Sequence, residues 1–80
     1  MKIDFSYTAR RQLLKLPHDL RLRIGEKMEF YSKQTNPLSF AKHTSGKSYR
    51  FRVGNYRVRF ELINNEIQIF KIERRDKAYD

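Results

Sequence analysis

The sequence of 80 residues contains no cysteine and only two histidines. The lack of cysteine excludes disulfides and thiolate metal sites, and it is typical of a protein of the reducing cytoplasm. His18 and His43 stand far apart in the sequence, so a zinc site would need carboxylates to complete it. We therefore predict neither a metal site nor a cofactor.

Long apolar runs are also missing. No segment approaches the roughly 20 apolar residues of a membrane-spanning helix, and the N-terminus lacks the charged and then apolar pattern of a signal peptide. The chain has only 3 glycines and 2 prolines, and no repeat, low-complexity stretch or linker interrupts it. These absences predict one cytoplasmic domain over residues 1–80, without a membrane partner.

Negative charge is scarce as well. Eighteen lysines and arginines stand against nine acidic residues, which gives a net charge of +9. This balance favours a polyanionic partner, such as nucleic acid, a ribonucleoprotein, an acidic protein segment or an anionic membrane surface. A hydrophobic content of 39%, with 14% aromatic residues, is enough for one compact core.

The most informative segment spans residues 49–60, where apolar and basic residues alternate on both sides of Gly54 and Asn55. This pattern predicts two strands joined by a two-residue turn. Successive side chains of a strand point to opposite faces, so the apolar residues share one face and the arginines share the other. The apolar set is Tyr49, Phe51, Val53, Tyr56, Val58 and Phe60, and the basic set is Arg50, Arg52, Arg57 and Arg59.

Arginine faces arginine across this turn, and the opposed pairs are Arg52 with Arg57 and Arg50 with Arg59. Directly opposed like charges in a sheet cost roughly 0.2–1 kcal/mol per pair. An anion that binds across the face offsets that cost, so the pattern predicts an anion site. The alternative is an exposed face that charge keeps soluble, in which Arg59 pairs with Glu61 or Glu66.

Other patterns predict the remaining elements. Alternation over residues 2–7 predicts a first strand, and Thr8 is the expected N-cap of a helix over residues 9–16. A second helix over residues 19–32 carries an apolar stripe of Leu20, Ile24, Met28 and Tyr31. Gly25 lies inside this helix, where we expect it to allow close packing. Residues 38–46 are predicted to be a long connection.

The last strand, over residues 66–73, has two possible registers. A two-residue loop pairs Phe60 with Ile69, whereas a three-residue loop pairs Phe60 with Phe70 and turns the strand's other face to the core. The order β-α-α-β-β-β predicts an antiparallel α+β domain with the two helices covering one face of the sheet.

The order of elements and three segments of this sequence resemble the RelE/ParE superfamily of toxins from type II toxin–antitoxin systems. The segments are LKLP at residues 14–17, YRFRVGNYRV at 49–58 and RDKAY at 75–79. The resemblance covers nearly the whole chain, and the hairpin is its most specific part. It implies a RelE-like fold and either of two activities. RelE-like members, to which the sequence is more similar, cleave messenger RNA in the ribosomal A site, whereas ParE-like members inhibit DNA gyrase.

For a RelE-like endoribonuclease, the resemblance implies attack of an RNA 2′-hydroxyl on the adjacent phosphate. Arg52 and Arg57 would then hold the phosphate, Arg75 would assist the leaving group, and Tyr79 would stack on a base of the codon. The further cations expected to contact the RNA are Lys47, Arg50, Arg59 and Arg74.

The general base remains open at this point. An arginine stays protonated, so the hairpin arginines do not serve as bases. The alternatives are His43, Lys71 and Glu73, of which Glu73 has a second interpretation as the structural partner of Arg57 or Arg74. A chain without a base would be a catalytically weak RNA-binding member or a ParE-like gyrase inhibitor.

The resemblance also implies partners. These are a cognate antitoxin, the ribosome, and messenger RNA in its A site. Type II antitoxins usually wrap a partly disordered segment over the toxin, and the net charge of +9 favours such an association with an acidic segment.

Overall fold

Two helices and a five-stranded sheet make up the computed structural model, which describes residues 1–74. The elements, in chain order, are β1 (Lys2–Phe5), α1 (Tyr7–Leu14), α2 (His18–Ser32), a 3₁₀ helix (Pro37–Phe40), β2 (Lys42–Ser45), β3 (Ser48–Val53), β4 (Tyr56–Ile63) and β5 (Glu66–Arg74). The predicted α+β class, with a helical hairpin packed on one face of the sheet, is confirmed. The sheet differs from the prediction in one strand and in one pairing.

The strands lie in the order β1-β5-β4-β3-β2. The three neighbouring pairs from β5 to β2 are antiparallel, as predicted, but β1 runs parallel to β5. The sheet is therefore mixed, and the prediction of a purely antiparallel sheet was wrong at this edge. No tight turn joins β1 to a neighbour, so its direction follows from the path of the chain through the two helices.

The additional strand, β2, lies at the opposite edge of the sheet, in the segment predicted to be a connection. It pairs antiparallel with β3, with Lys42 opposite Arg50 and His43 opposite Tyr49. All four of its residues are polar, so no apolar alternation marks it in the sequence. Backbone hydrogen bonds to β3, and not burial of its side chains, define this strand.

The β3–β4 hairpin has the predicted register. Gly54 and Asn55 form the turn between Val53 and Tyr56, which are paired. Gly54 has a φ of 58°, a conformation that glycine adopts without the steric cost of a Cβ atom. The turn therefore aligns the two strands so that each arginine of β3 lies opposite an arginine of β4.

The β4–β5 hairpin has the two-residue loop, which resolves the open choice of register. Asn64 and Asn65 have φ values of 49° and 64°, which is typical of a type I′ turn, and asparagine tolerates this region well. The loop places Phe60 opposite Ile69, as the two-residue alternative predicts.

A β-bulge then shifts the register of β5. Beyond the Phe60–Ile69 pair, Arg59 lies opposite Lys71, so that Phe70 is the extra residue. Because of this insertion, Ile69 and Ile72 both face the core, where they are 1% and 4% exposed. The two apolar faces that made the register ambiguous in the sequence thus belong to one strand with a bulge.

The helices cover one face of the sheet, and a stack of aromatic rings crosses from α2 into it. Tyr31 stacks on Phe51 with 4.1 Å between ring centroids, and Phe51 stacks on Phe60 at 4.3 Å. Such offset pairs contribute about 0.5–1.5 kcal/mol beyond their buried area. The rest of the buried core consists of Ala9, Ile24, Met28, Val53, Val58, Ile67, Ile69 and Ile72.

Strand β1 pairs only with residues 66–69 of β5, and polar contacts attach helix α1 to β5 at and beyond that point. Its N-cap is Ser6, whose Oγ accepts a hydrogen bond from the amide of Ala9 at 3.0 Å, so the prediction of Thr8 was wrong. The amide of Ser6 donates to the Ile69 carbonyl, and Gln12 Oε1 accepts from the amide of Ile72. Within residues 1–74, neither helix is long and apolar enough to cross a membrane.

Gly25 contradicts the expectation of close packing, because it is exposed and an added Cβ would meet no atom within 4 Å. We predict that Gly25→Ala raises the free energy of unfolding by about 1 kcal/mol, the difference in helix propensity, as measured by urea denaturation. Gly46, with a φ of 54°, is the control. Gly46→Ala should lower stability by about 1–2 kcal/mol. A destabilised Gly25→Ala protein would contradict the prediction.

Burial raises the pKa of Tyr31 above its ordinary value of 10.0. The neutral phenol is favoured in the folded state, so the stabilisation is complete below pH 10 and is lost as the pH rises further. We expect the free energy of unfolding to fall above that pH more steeply for the wild type than for Tyr31→Phe, by at most about 1.4 kcal/mol per pH unit. Urea denaturation of both proteins at several alkaline pH values measures the difference, and parallel curves would disprove it.

Candidate nucleic-acid interface

The sheet face opposite the helices carries charged side chains, most of them basic, in two rows that run across the strands. The clamp row consists of Arg52 on β3, Arg57 on β4 and Glu73 on β5. The cationic row consists of Lys42 on β2, Arg50 on β3, Arg59 on β4 and Lys71 on β5. Neighbouring strands are about 4.8 Å apart, so these side chains form a continuous positive surface.

In the clamp row, Arg52 is exposed and lies directly opposite Arg57, whose side chain is 20% exposed. The two guanidinium groups come from the two sides of the turn. Guanidinium groups present planar donor forks that match the oxygens of a phosphate. The arrangement suits an anion that bridges the two strands.

Glu73 lies among three cations. Its Oε2 is 3.8 Å from Arg57 Nε and 3.9 Å from Arg59 Nη1, and its Oε1 is 3.3 Å from Lys71 Nζ. Of the two structural partners considered from the sequence, Arg57 is in contact, whereas Arg74 lies opposite Tyr56 on the other face of the sheet. Glu73 is therefore a shared counter-ion that orients the inner side chains of both rows.

Arg59 does not pair with Glu61 or Glu66, the partners expected if charge served only solubility. It contacts Glu73 instead, and its guanidinium lies 5.5 Å from the centroid of the Phe70 ring. Its Nε atom is buried and makes no hydrogen bond within residues 1–74. A buried donor without a partner costs about 1–3 kcal/mol, which indicates that this face is not optimised for stability alone.

Among the three candidates for a general base, Lys71 and Glu73 lie together on the sheet face opposite the helices (the open face). His43 does not lie on this face. His43 pairs with Tyr49, whose ring belongs to the helix-covered face, and the two rings meet edge to face at 5.3 Å. Its Nε2 donates a hydrogen bond of 2.7 Å to the carbonyl oxygen of Gly46. The histidine thus stabilises the β2–β3 turn and is separated from the arginines by the sheet.

The other predicted residues lie away from the two rows or beyond the described chain. Lys47 is exposed in the turn between β2 and β3, and Arg74 is exposed at the end of β5. Arg75 and Tyr79 lie outside the described residues. In residues 1–74, no three His, Asp or Glu side chains are grouped so that they could hold a metal ion.

The sequence patterns missed Lys42 and a pocket of about 340 Å³ beside the cationic row. Lys42 was overlooked because β2 carries no apolar alternation. The residues that line the pocket are Ser6, Ser48, Arg59, Glu61, Gln68, Ile69 and Phe70. The adjacent apolar pair of Ile69 and Phe70, within an otherwise alternating strand, was the available signal for the bulge and hence for the pocket.

Comparison with solved structures shows the same fold in RelE toxins. The isolated RelE toxin of E. coli has a TM-score of 0.79 at 13% identity, over 98% of this chain and 87% of that one. In the RelB–RelE antitoxin–toxin complex from Methanococcus jannaschii, the matched chain has a TM-score of 0.73 at 28% identity, over 95% and 94%. The toxin–antitoxin complex RelBE2 from Mycobacterium tuberculosis gives 0.77 at 25% identity, over 92% and 96%.

No family model and no curated protein sequence matches this chain. The structural matches nevertheless cover 92–98% of this chain and 87–96% of the matched chains. They show that this chain has the α+β fold of a toxin domain. More particularly, it is RelE-like, which confirms the resemblance of its sequence.

Arg52→Gln tests whether the opposed arginines serve stability. We expect its free energy of unfolding to stay unchanged or to rise by at most about 1 kcal/mol at low salt, because one of the like-charge pairs is removed. Any gain should vanish near 1 M salt, where the Debye length is about 3 Å. Urea denaturation at both salt concentrations measures the effect.

Arg10→Gln is the control, because Arg10 is exposed on α1 and loses the same charge away from the two rows. Its stability should depend less on salt than that of Arg52→Gln. A clear loss of stability in Arg52→Gln alone would show that this arginine contributes to folding.

Proposed function

We propose that this protein is the toxin of a type II toxin–antitoxin pair and a ribosome-dependent messenger RNA endoribonuclease that acts in the cytoplasm. The observation that carries the proposal is the clamp row beside the cationic row, which together form a surface for an RNA backbone. The shared fold with RelE toxins supports the toxin role. The matched complexes with RelB antitoxins support a cognate antitoxin as the partner.

In the proposed complex, Arg52 and Arg57 hold the scissile phosphate and the cationic row holds its neighbours. The clamp arginines are fixed on paired strands, and Glu73 contacts Arg57 at 3.8 Å. Positioning on a rigid hairpin lowers the entropic cost of binding. Several cation–phosphate contacts also make the affinity strongly dependent on salt.

In the proposed reaction, the O2′ atom of one nucleotide forms a bond to the adjacent phosphorus, and the bond from phosphorus to O5′ breaks. The products are a cyclic phosphate and a 5′-hydroxyl, and the proton that leaves O2′ is balanced by the proton that O5′ gains. Negative charge grows on the phosphoryl oxygens in the transition state. Arg52 and Arg57 stabilise it, and removal of one such donor typically costs about 10²–10³-fold in rate.

Proton transfer at O2′ is proposed for the Lys71–Glu73 pair, because these are the titratable candidates on the same face as the clamp row. The 3.3 Å contact between them allows either group to set the orientation of the other. The ribosome contributes by aligning the messenger RNA with the clamp row. The roles of Arg75 and Tyr79 stay predictions from the resemblance.

Cleavage of ribosome-bound messenger RNA, mapped by primer extension, tests the proposal. The wild type should cut within codons, and Arg52→Gln should cut at least about 10²-fold more slowly because a phosphate contact is lost. Arg52→Gln is suited to this test because it is expected to remain folded. Arg10→Gln removes the same charge from α1 and should cleave like the wild type.

Two results would overturn the proposal. One is equal cleavage by the wild type and Arg52→Gln, which would remove the clamp row from the reaction. The other is intact messenger RNA together with inhibited supercoiling by purified DNA gyrase, which is the outcome expected of a ParE-like protein.

A further inference from the structure

Along the strands, the side chains of the open face change from basic to neutral and acidic. The proposed phosphate contacts do not account for this change. Beyond the cationic row, the next cross-strand row carries no cation, and its members are Ser45, Ser48, Glu61, Gln68 and Asp4. The 340 Å³ pocket lies where this row meets Arg59 and Phe70. Its volume is at the lower end of the about 300–1,000 Å³ range of small-ligand sites.

Phe70 provides a flat apolar surface in this pocket. The β-bulge turns its ring to the polar face while it keeps Ile72 in the core. Bulges often redirect a side chain toward a functional site. The guanidinium of Arg59 lies 5.5 Å from the ring centroid. An aromatic ring beside an arginine is the combination on which unpaired bases stack.

Glu61 provides hydrogen-bond acceptors on the wall of the same pocket. It is half-buried, and its carboxylate has no hydrogen bond or ion pair with any other residue in the range 1–74. Gln68 lies opposite it and donates one hydrogen bond of 2.8 Å to Glu66 Oε1, which leaves its amide oxygen and a second N–H available. The Glu61 carboxylate and the Gln68 amide can therefore form hydrogen bonds with a ligand in the pocket, and the carboxylate oxygens suit N–H donors.

We propose that this pocket binds one unpaired nucleobase of the RNA, stacked on Phe70 with its Watson–Crick edge toward Glu61. The inference rests on the proposed function, since it adds a base subsite to the phosphate surface. Arg59 belongs to the cationic row and also lines the pocket. A nucleotide whose phosphate contacts that row therefore has its base beside the pocket.

The chemistry of Glu61 predicts which base is preferred. An ionised carboxylate only accepts hydrogen bonds. Guanine presents two adjacent N–H donors, at N1 and N2, which match the two carboxylate oxygens. Adenine and cytosine present one amino group on this edge. Uracil presents a single N–H between two carbonyl oxygens, which the carboxylate repels. The pocket should therefore favour guanine and disfavour uracil.

Titration of the isotopically labelled protein with the four nucleoside 5′-monophosphates, followed by amide chemical shifts, tests the inference. Guanosine monophosphate should shift the amides of Glu61, Gln68 and Phe70 and bind about tenfold more tightly than uridine monophosphate, as expected for hydrogen bonds to a charged group. Glu61→Gln should bring this ratio close to one. Phe70→Leu should weaken the binding of all four.

Asp4→Asn is the matched control. Asp4 is exposed on the same face and lies opposite Gln68 but outside the pocket, so the substitution removes the same charge without changing the wall. Its preference for guanosine monophosphate should equal that of the wild type. The amide spectrum of each variant reports in the same experiment whether it is folded.

The outcomes separate this inference from the proposed function. Equal binding of all four nucleotides, with shifts confined to the clamp and cationic rows and unchanged in Glu61→Gln, would overturn the base subsite and leave the phosphate surface intact. If no nucleotide shifts any amide of the clamp row or the cationic row, both the base subsite and the proposed phosphate surface would be overturned. A change in the bases that flank the cuts of Glu61→Gln, absent from the cuts of Asp4→Asn, would support the subsite in the full reaction.

Discussion

The register between β3 and β4 is the constraint on which the rest of this structure depends. The turn at Gly54 aligns the two strands so that Phe51 and Phe60 face the helices. Their stacked rings, extended by Tyr31, form the centre of the core. Since side chains alternate along a strand, the same register places arginine opposite arginine on the open face. Burial of the aromatic rings thus holds together cations that repel one another.

The bulge in β5 extends this coupling between core and open face. Three isoleucines of β5 are buried, although an unbroken alternation would bury only two of them. The extra residue, Phe70, is therefore directed toward Arg59. Because burial of these isoleucines requires the bulge, it also places the aromatic ring of Phe70 beside the cationic row. Glu73, on the same strand, balances part of the positive charge that the hairpin brings together.

Sequence patterns predicted those parts of the fold in which local periodicity and turn chemistry agree. The β3–β4 register, the opposed arginines and the two helices belong to this group. They did not predict β2, because its residues are polar and only the ladder to β3 defines it. The parallel pairing of β1 was also missed, because no turn connects it to β5. The cap of α1 shifted to Ser6 because β1 ends at Phe5.

The sequence by itself determined the basic hairpin and its division into an apolar and a cationic face, since both follow from alternation within twelve neighbouring residues around a Gly-Asn turn. Tertiary structure decided which other groups join that face. It added Lys42 and Glu73, directed Phe70 toward Arg59 and left His43 on the opposite side. The physical reason is that these residues reach the site only through pairing between strands and through a bulge that burial of the core requires. Neither of these leaves a periodic signal in the sequence.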